Sequence, residues 1–215
     1  MANITSLFSC GLQRGPGGGG PGTGPGVERS LGRIRAPGGR LKTTLSRVSS
    51  DAFAIRSGVA ADLPRLLDIY NHYVVHTPIT FDLAPLSLEQ RRSWLDQHAP
   101  SGRHRLLVAE QAGHLIGYAS SHQFRAKAAY DSTVETTVYC APDATGRGAG
   151  TALYRALFAA LEGEDIATFI AGITLPNAAS EALHARFGFS HVGTMHKVGR
   201  KFDRYWDVGW YERVV

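Results

Sequence analysis

The stretch STVETTVYCAPDATGRGAGTALYRALFAALE, Ser132 to Glu162, decides the fold. Its first part, Val134 to Cys140, is β-rich and reads as a strand. A proline-containing turn follows, then Gly146-Arg147-Gly148-Ala149-Gly150, then an apolar helix. Strand, glycine loop and helix in that order make a grip for phosphate. Glycines let backbone N–H groups come close to an anion, and the helix N-terminus adds partial positive charge. A Walker loop needs Lys after its last glycine, and Thr151 stands there instead. A dinucleotide fingerprint needs its third glycine at 151 and an early βαβ unit, whereas this loop has Gly150 and lies late in the chain. A glycine-rich turn without a ligand is the remaining alternative on the loop alone.

At 215 residues the chain has room for one core and an appendage. The formal net charge of +5 is unevenly spread. Residues 1–50 carry Arg14, Arg29, Arg33, Arg35, Arg40, Lys42 and Arg47 against Glu28 alone, which is +6 and leaves −1 for residues 51–215. A domain that is not basic argues against nucleic acid as a partner. Two cysteines, Cys10 and Cys140, supply no disulfide framework and fit a reducing, cytoplasmic compartment. No apolar run reaches the roughly 18–20 residues that cross a membrane. Residues 1–50, nearly all Gly and Pro from Gly15 to Gly26, are expected to be a disordered tail, because they cannot bury enough surface to offset their ordering entropy. Their Arg, Ser and scarcity of acid also resemble a transit peptide, but amphipathic character is poor, and a start codon assigned too far upstream gives the same text.

The domain spans residues 51–215. Phe53 to Arg56 reads as a strand. Asp62 is a good N-cap with Pro64 in the first turn, and Leu63, Leu66, Leu67, Tyr70 and Val74 recur at helical spacing until Pro78. Ser87-Leu88-Glu89-Gln90 resembles a capping box opening a helix to about His98. Leu106 to Glu110 and Leu115 to Ser121 read as strands around a turn at Gln111-Ala112-Gly113. After the helix from about Ala149 to Glu162 come a strand from Thr168 to Thr174, a helix from Asn177 to Phe187 stopped by Gly188, and strands at His191 to Lys197 and Trp206 to Tyr211. The order β-α-α-β-β-β-α-β-α-β-β is an α/β class with a mixed central sheet flanked by helices.

That order, with the loop Thr145-Gly146-Arg147-Gly148-Ala149-Gly150, resembles the GNAT N-acetyltransferases, whose acetyl-CoA loop reads R/Q-x-x-G-x-G/A. Asn71-His72-Tyr73, Thr80-Phe81, Ala129-Tyr130-Asp131, Val134-Glu135-Thr136-Thr137-Val138-Tyr139, Leu175-Pro176-Asn177 and Tyr205-Trp206-Asp207-Val208-Gly209 are similar to the phosphinothricin acetyltransferase branch. The resemblance implies acetyl-CoA as co-substrate and, as acceptor, the amino group of a small amino acid such as phosphinothricin or methionine sulfoximine. It also implies a homodimer with active sites near the subunit interface. The alternatives are an acetyltransferase for a protein N-terminus or another amine, and a non-catalytic CoA-binding module. Retention of Glu135 and His184 together argues against the last.

Acetyl transfer from a thioester to an amine needs a base for the ammonium proton, a donor for the oxyanion and a proton for the departing thiolate. Glu135 is the candidate base: a carboxylate is out of place among Val134, Thr136, Thr137 and Val138, and the resemblance puts a catalytic Glu there. A carboxylate of ordinary acidity is a poor direct base, so burial or a relaying water is implied. His184, in Leu183-His184-Ala185-Arg186-Phe187-Gly188-Phe189, stands where many GNAT enzymes have a Tyr, and the resemblance offers it as a proton-transfer group. The resemblance also assigns the co-substrate to Val138, Tyr139 and Cys140 on the strand, to Gly146, Arg147, Gly148, Ala149, Gly150 and Thr151 on the loop, and to Asn177, which as readily caps a helix. Thr145 departs from the family's Arg or Gln, and Arg147 is the candidate substitute charge. For the acceptor, Arg125, Lys127 and Lys201 are candidate cations and Tyr73, Phe81, Tyr130 and Trp206 candidate walls. His72 and His76 lack an HExxH context, and no metal is expected.

Overall fold

A computed structural model describes residues 53–215 of the chain; the expected tail, residues 1–50, lies outside the described residues. The strands are β1 (Ala54–Ser57), β2 (Leu106–Gln111), β3 (His114–Gln123), β4 (Thr133–Cys140), β5 (Thr168–Leu175), β6 (Ser190–Lys201) and β7 (Arg204–Val214). The α-helices are α1 (Leu63–His76), α2 (Leu88–Leu95), α3 (Ala149–Ala160) and α4 (Ala178–Arg186). Seven strands form one sheet in the order β1-β2-β3-β4-β5-β7-β6. Only β4 and β5 run parallel, and α3 is the crossover between them.

Side-chain alternation divides β4 between two layers. Tyr139 stacks on Tyr118 of β3 and meets Tyr70 and Tyr73 of α1 edge-on, while Trp94 of α2 meets Tyr118. Alternate positions face α3: a Cβ at Gly117, opposite Cys140, would touch Leu153. Leu66 of α1 and Leu153 and Leu157 of α3 are fully buried, each contributing ~1.5–3 kcal/mol of burial.

Most sequence boundaries hold within a few residues, and the differences have causes. Ser87 Oγ accepts from Gln90 N–H and Gln90 Oε1 accepts from Ser87 N–H, so the capping box forms. Asp62 makes no side-chain cap on α1. Its carboxylate instead accepts Val59 N–H and both Nη groups of Arg56, at 2.7–2.8 Å, which lowers its pKa. The last two strands run longer than expected. They form a hairpin turning at Phe202-Asp203, both at positive φ (53° and 54°), a tight turn with no glycine to mark it. Asp207 secures a bulge in β6 by accepting Lys197 N–H at 2.7 Å and pairing with His196.

Candidate active site

The site begins where two strands part. β4 and β5 share three rungs, Thr133↔Thr168, Val134↔Phe169 and Glu135↔Ile170. Beyond them β4 continues to Cys140 against β3, and β5 to Leu175 against β7. The parallel ladder therefore ends in a wedge in the middle of the sheet, with Glu135 at its vertex and Val138, Tyr139 and Cys140 along one side.

The glycine loop stands at the open end. Gly146 and Gly148 adopt φ of +74° and +89°, a conformation that costs any L side chain about 1–2 kcal/mol. Gly148 is the N-cap of α3, the first turn holds no acid, and Ala152 N–H makes the first intrahelical bond. The preceding amides, at Ala149, Gly150 and Thr151, thus head the helix as anion donors. Thr145 Oγ donates to the Pro142 carbonyl at 2.9 Å and fastens the turn in place of bringing charge. Arg147 is exposed, and Arg186 of α4, which sequence reasoning missed, reaches Thr151 Oγ1 at 3.4 Å. The donor set fits a pyrophosphate: three leading amides and two arginines. A Cβ at Gly150 would meet Leu183, Cys140 and Val138 at 3.5–3.9 Å, so packing alone does not demand glycine there.

Glu135 is buried, 6% exposed, and its Oε1 has no hydrogen-bond partner. It shares its face with His122, its cross-strand neighbour on β3, whose Nε2 lies 3.7 Å from Oε2. Both His122 nitrogens are likewise buried and unpartnered. A buried polar atom without a partner is costly and rare, and two such groups side by side mark a place where a ligand or water completes the bonding. His122 was invisible to sequence reasoning, because its partnership with Glu135 exists only through strand register.

His184 stands on the opposite face, with α3. It is fully buried. Nδ1 lies 2.8 Å from the Ser180 carbonyl, which can only accept, so Nδ1 carries the proton and Nε2 accepts from Tyr154 OH at 2.9 Å. Burial pushes its pKa down to about 4, partly opposed by the Ser180 carbonyl. The structure does not bring Glu135 and His184 together, and both ring nitrogens of His184 are committed inside the protein.

The remaining candidates separate by placement. Asn177 caps α4, accepting Ser180 N–H at 3.1 Å. Cys140 is buried, and its carbonyl accepts Tyr73 OH at 2.6 Å. Tyr73 therefore ties α1 to the end of β4 and sits 4% exposed in the core, not along an open wall. Phe81 lies directly on Gly199, where a Cβ would come within 2.1 Å of its ring. Lys201, expected as a cation for substrate, is buried and donates to the Thr80 carbonyl at 2.7 Å, with burial pushing its pKa down to about 8. Together Phe81 and Lys201 fasten the segment after α1 to β6. Trp206 Nε1 donates to the Lys201 carbonyl. Lys127 and Tyr130 lie exposed on the segment between β3 and β4, where Arg125 covers the rings of Phe124 and Tyr130. Among the described residues, no group of three or more His, Cys, Asp or Glu side chains could hold a metal ion.

Residues 55–210 match the acetyltransferase (GNAT) domain family. The chain belongs to that family. It is 58% identical over 161 residues to a phosphinothricin N-acetyltransferase of Streptomyces coelicolor, covering 74% of this chain and 94% of that enzyme. It is 37% identical over 155 residues to an L-methionine sulfoximine/L-methionine sulfone acetyltransferase of Pseudomonas aeruginosa, covering 72% of this chain and 90% of that one. The crystal structure of a phosphinothricin acetyltransferase from Sinorhizobium meliloti in complex with acetyl-CoA is similar at a TM-score of 0.70 and 32% identity, over 76% of this chain and 88% of that chain. The GNAT chain described here is an acetyl-CoA-dependent N-acetyltransferase with a mixed seven-strand sheet. No helix among the described residues is long and apolar enough to cross a membrane.

Proposed function

We propose that this enzyme acetylates the amino group of a small amino acid of the phosphinothricin or methionine sulfoximine kind, with Glu135 as the base. One observation carries the assignment: a buried carboxylate with an unpartnered oxygen at the vertex of the β4–β5 wedge. An amine entering the wedge finds there a buried carboxylate oxygen on β4 that no hydrogen bond in the fold occupies. Val138, Tyr139 and Cys140 line the pantetheine side, and Gly146 to Thr151 with Asn177 hold the phosphate end and its neighbourhood. Lys127 and Tyr130, exposed between β3 and β4, receive the acceptor's carboxylate and side chain, and Phe81 braces the segment after α1. His184 serves through Tyr154, locking α4 to α3. Val192, Met195, Val198, Phe202 and Tyr205 are exposed on the β6–β7 hairpin and support a homodimer through that surface. A composition of only two cysteines, with no disulfide framework, supports a cytoplasmic enzyme.

The test is thiol release from acetyl-CoA across free amino acids, phosphinothricin, methionine sulfoximine, peptides and simple amines. Turnover with the amino-acid analogues at least tenfold above peptides and simple amines supports the assignment. A preference for peptides overturns it.

A further inference from the structure

Acetylation of an ammonium group releases one net proton: R–NH3+ and acetyl-CoA give the amide, the CoA thiol and H+. A buried carboxylate that takes this proton must pass it on before the next turnover. The strands place a route beside Glu135. His122 is its cross-strand neighbour on β3, at 3.7 Å. The β2–β3 ladder pairs Leu106 with Ser120 and continues through Ser121 N–H to the Arg105 carbonyl at 2.9 Å, which brings His104 opposite His122. Glu135, His122 and His104 thus form a row across three neighbouring chain segments. The row ends at an open cleft of about 240 Å³ lined by Arg103, His104, Gln123 and Asp131.

We propose that His122 is the proton relay of Glu135, carrying the amine's proton from the wedge toward the His104 cleft. This rests on Glu135 being the base. The ammonium N–H bond breaks as a Glu135 O–H bond forms. That O–H bond then breaks as the proton joins Nε2 of His122, and the Nδ1 proton leaves to His104 or to water in the cleft, restoring a neutral ring. The 3.7 Å gap closes through one bridging water or a small rotation of the imidazole. Both His122 nitrogens are buried without a partner, so neither is tied to a structural bond.

The other group facing His122 is His98, at the end of α2. Its Nδ1 donates to the Trp94 carbonyl, and burial, then His122, push its pKa down to about 4, so it stays neutral near pH 7. Arg91 acts on His98 in the same direction. His104 is also held down, first by burial and then by His122 and Arg103, against Asp131. It is the one that borders the cleft, and a base that gives its proton up readily suits the outer end of the row.

The experiment compares full-length wild type, Glu135→Gln and His122→Gln with methionine sulfoximine as acceptor, from low to high imidazole. His122→Gln should lower kcat about tenfold with both KM values nearly unchanged, and added imidazole should restore much of the loss. Wild type should not respond to imidazole. A His122→Gln enzyme with wild-type kcat, or a slow one that imidazole does not help, overturns the relay. If Glu135→Gln retains full turnover, the base assignment fails and the relay fails with it. If Glu135→Gln is slow while His122→Gln is normal, the relay alone fails. Should His122→Gln not fold, His104→Gln carries the same readout: imidazole rescue supports the route and its absence overturns it.

Discussion

Glu135 and His184 are both buried beside the same sheet, and they are buried in opposite ways. Glu135 lies on the α1/α2 face at the wedge vertex, with an oxygen that nothing in the protein satisfies. His184 lies on the α3/α4 face with both nitrogens satisfied, one by Ser180 and one by Tyr154. Burial alone does not distinguish a reacting group from a structural one. Completeness of hydrogen bonding separates these two side chains, because a buried acceptor left open costs stability there, and a substrate can fill the gap. The same contrast separates Tyr73 and Lys201, whose polar atoms are committed to carbonyls, from His122, whose nitrogens are not.

The largest expected effect sharpens this contrast. Glu135→Gln should lower kcat/KM at pH 7 by ~10²–10⁴-fold while acetyl-CoA affinity, measured by calorimetry, stays within about twofold. An equal loss in acetyl-CoA affinity would mean that Glu135 shapes the cofactor side of the wedge. The next effect concerns pH. The unfolded chain binds a proton at His184 below its ordinary pKa of 6.5, and the folded chain only near 4. Stability should therefore fall as pH drops through that window, by on the order of 3 kcal/mol from this group, and be fully recovered above pH 6.5. Urea denaturation across pH 4 to 8 reads the slope, and His184→Phe should reduce it. At neutral pH, His184→Phe removes the imidazole acceptor of the Tyr154 hydroxyl and should cost ~1–3 kcal/mol of stability with less than about tenfold change in kcat. A loss of kcat matching that of Glu135→Gln would erase the distinction between the two faces. The smallest effect lies at the loop. Gly148→Val forces a β-branched residue to φ +89° with open space around it, and ~1–2 kcal/mol of strain should weaken acetyl-CoA binding by roughly tenfold.

The legible parts of the sequence were those with local signals. Gly146, Gly148 and the following apolar run announced the glycine turn and α3, and Glu135 stood out as a charge in a β-branched strand. The capping box at Ser87 and the turn at Ala112-Gly113 have fixed spacings and formed as expected. What could not be read depends on register or on competition between partners. The wedge exists because β4 and β5 stop pairing after Glu135 and Ile170, a fact carried by no single residue. Asp62 had the composition of a cap, but Arg56 and Val59 N–H claimed its carboxylate. Tyr73 and Lys201 carried family-like chemistry, yet carbonyls within the fold took both polar ends. Arg186 approaches the loop from a helix that begins nearly thirty residues later in the chain.

The central claim is that Glu135 removes the amine proton, and the pH dependence of Glu135→Gln tests it most directly. Steady-state kcat/KM with methionine sulfoximine from pH 6 to 10 should show the variant far below wild type at pH 7. The gap should narrow toward pH 10, where free amine forms without enzymic help. A variant equal to wild type at every pH, or slower by the same factor throughout, would contradict the account.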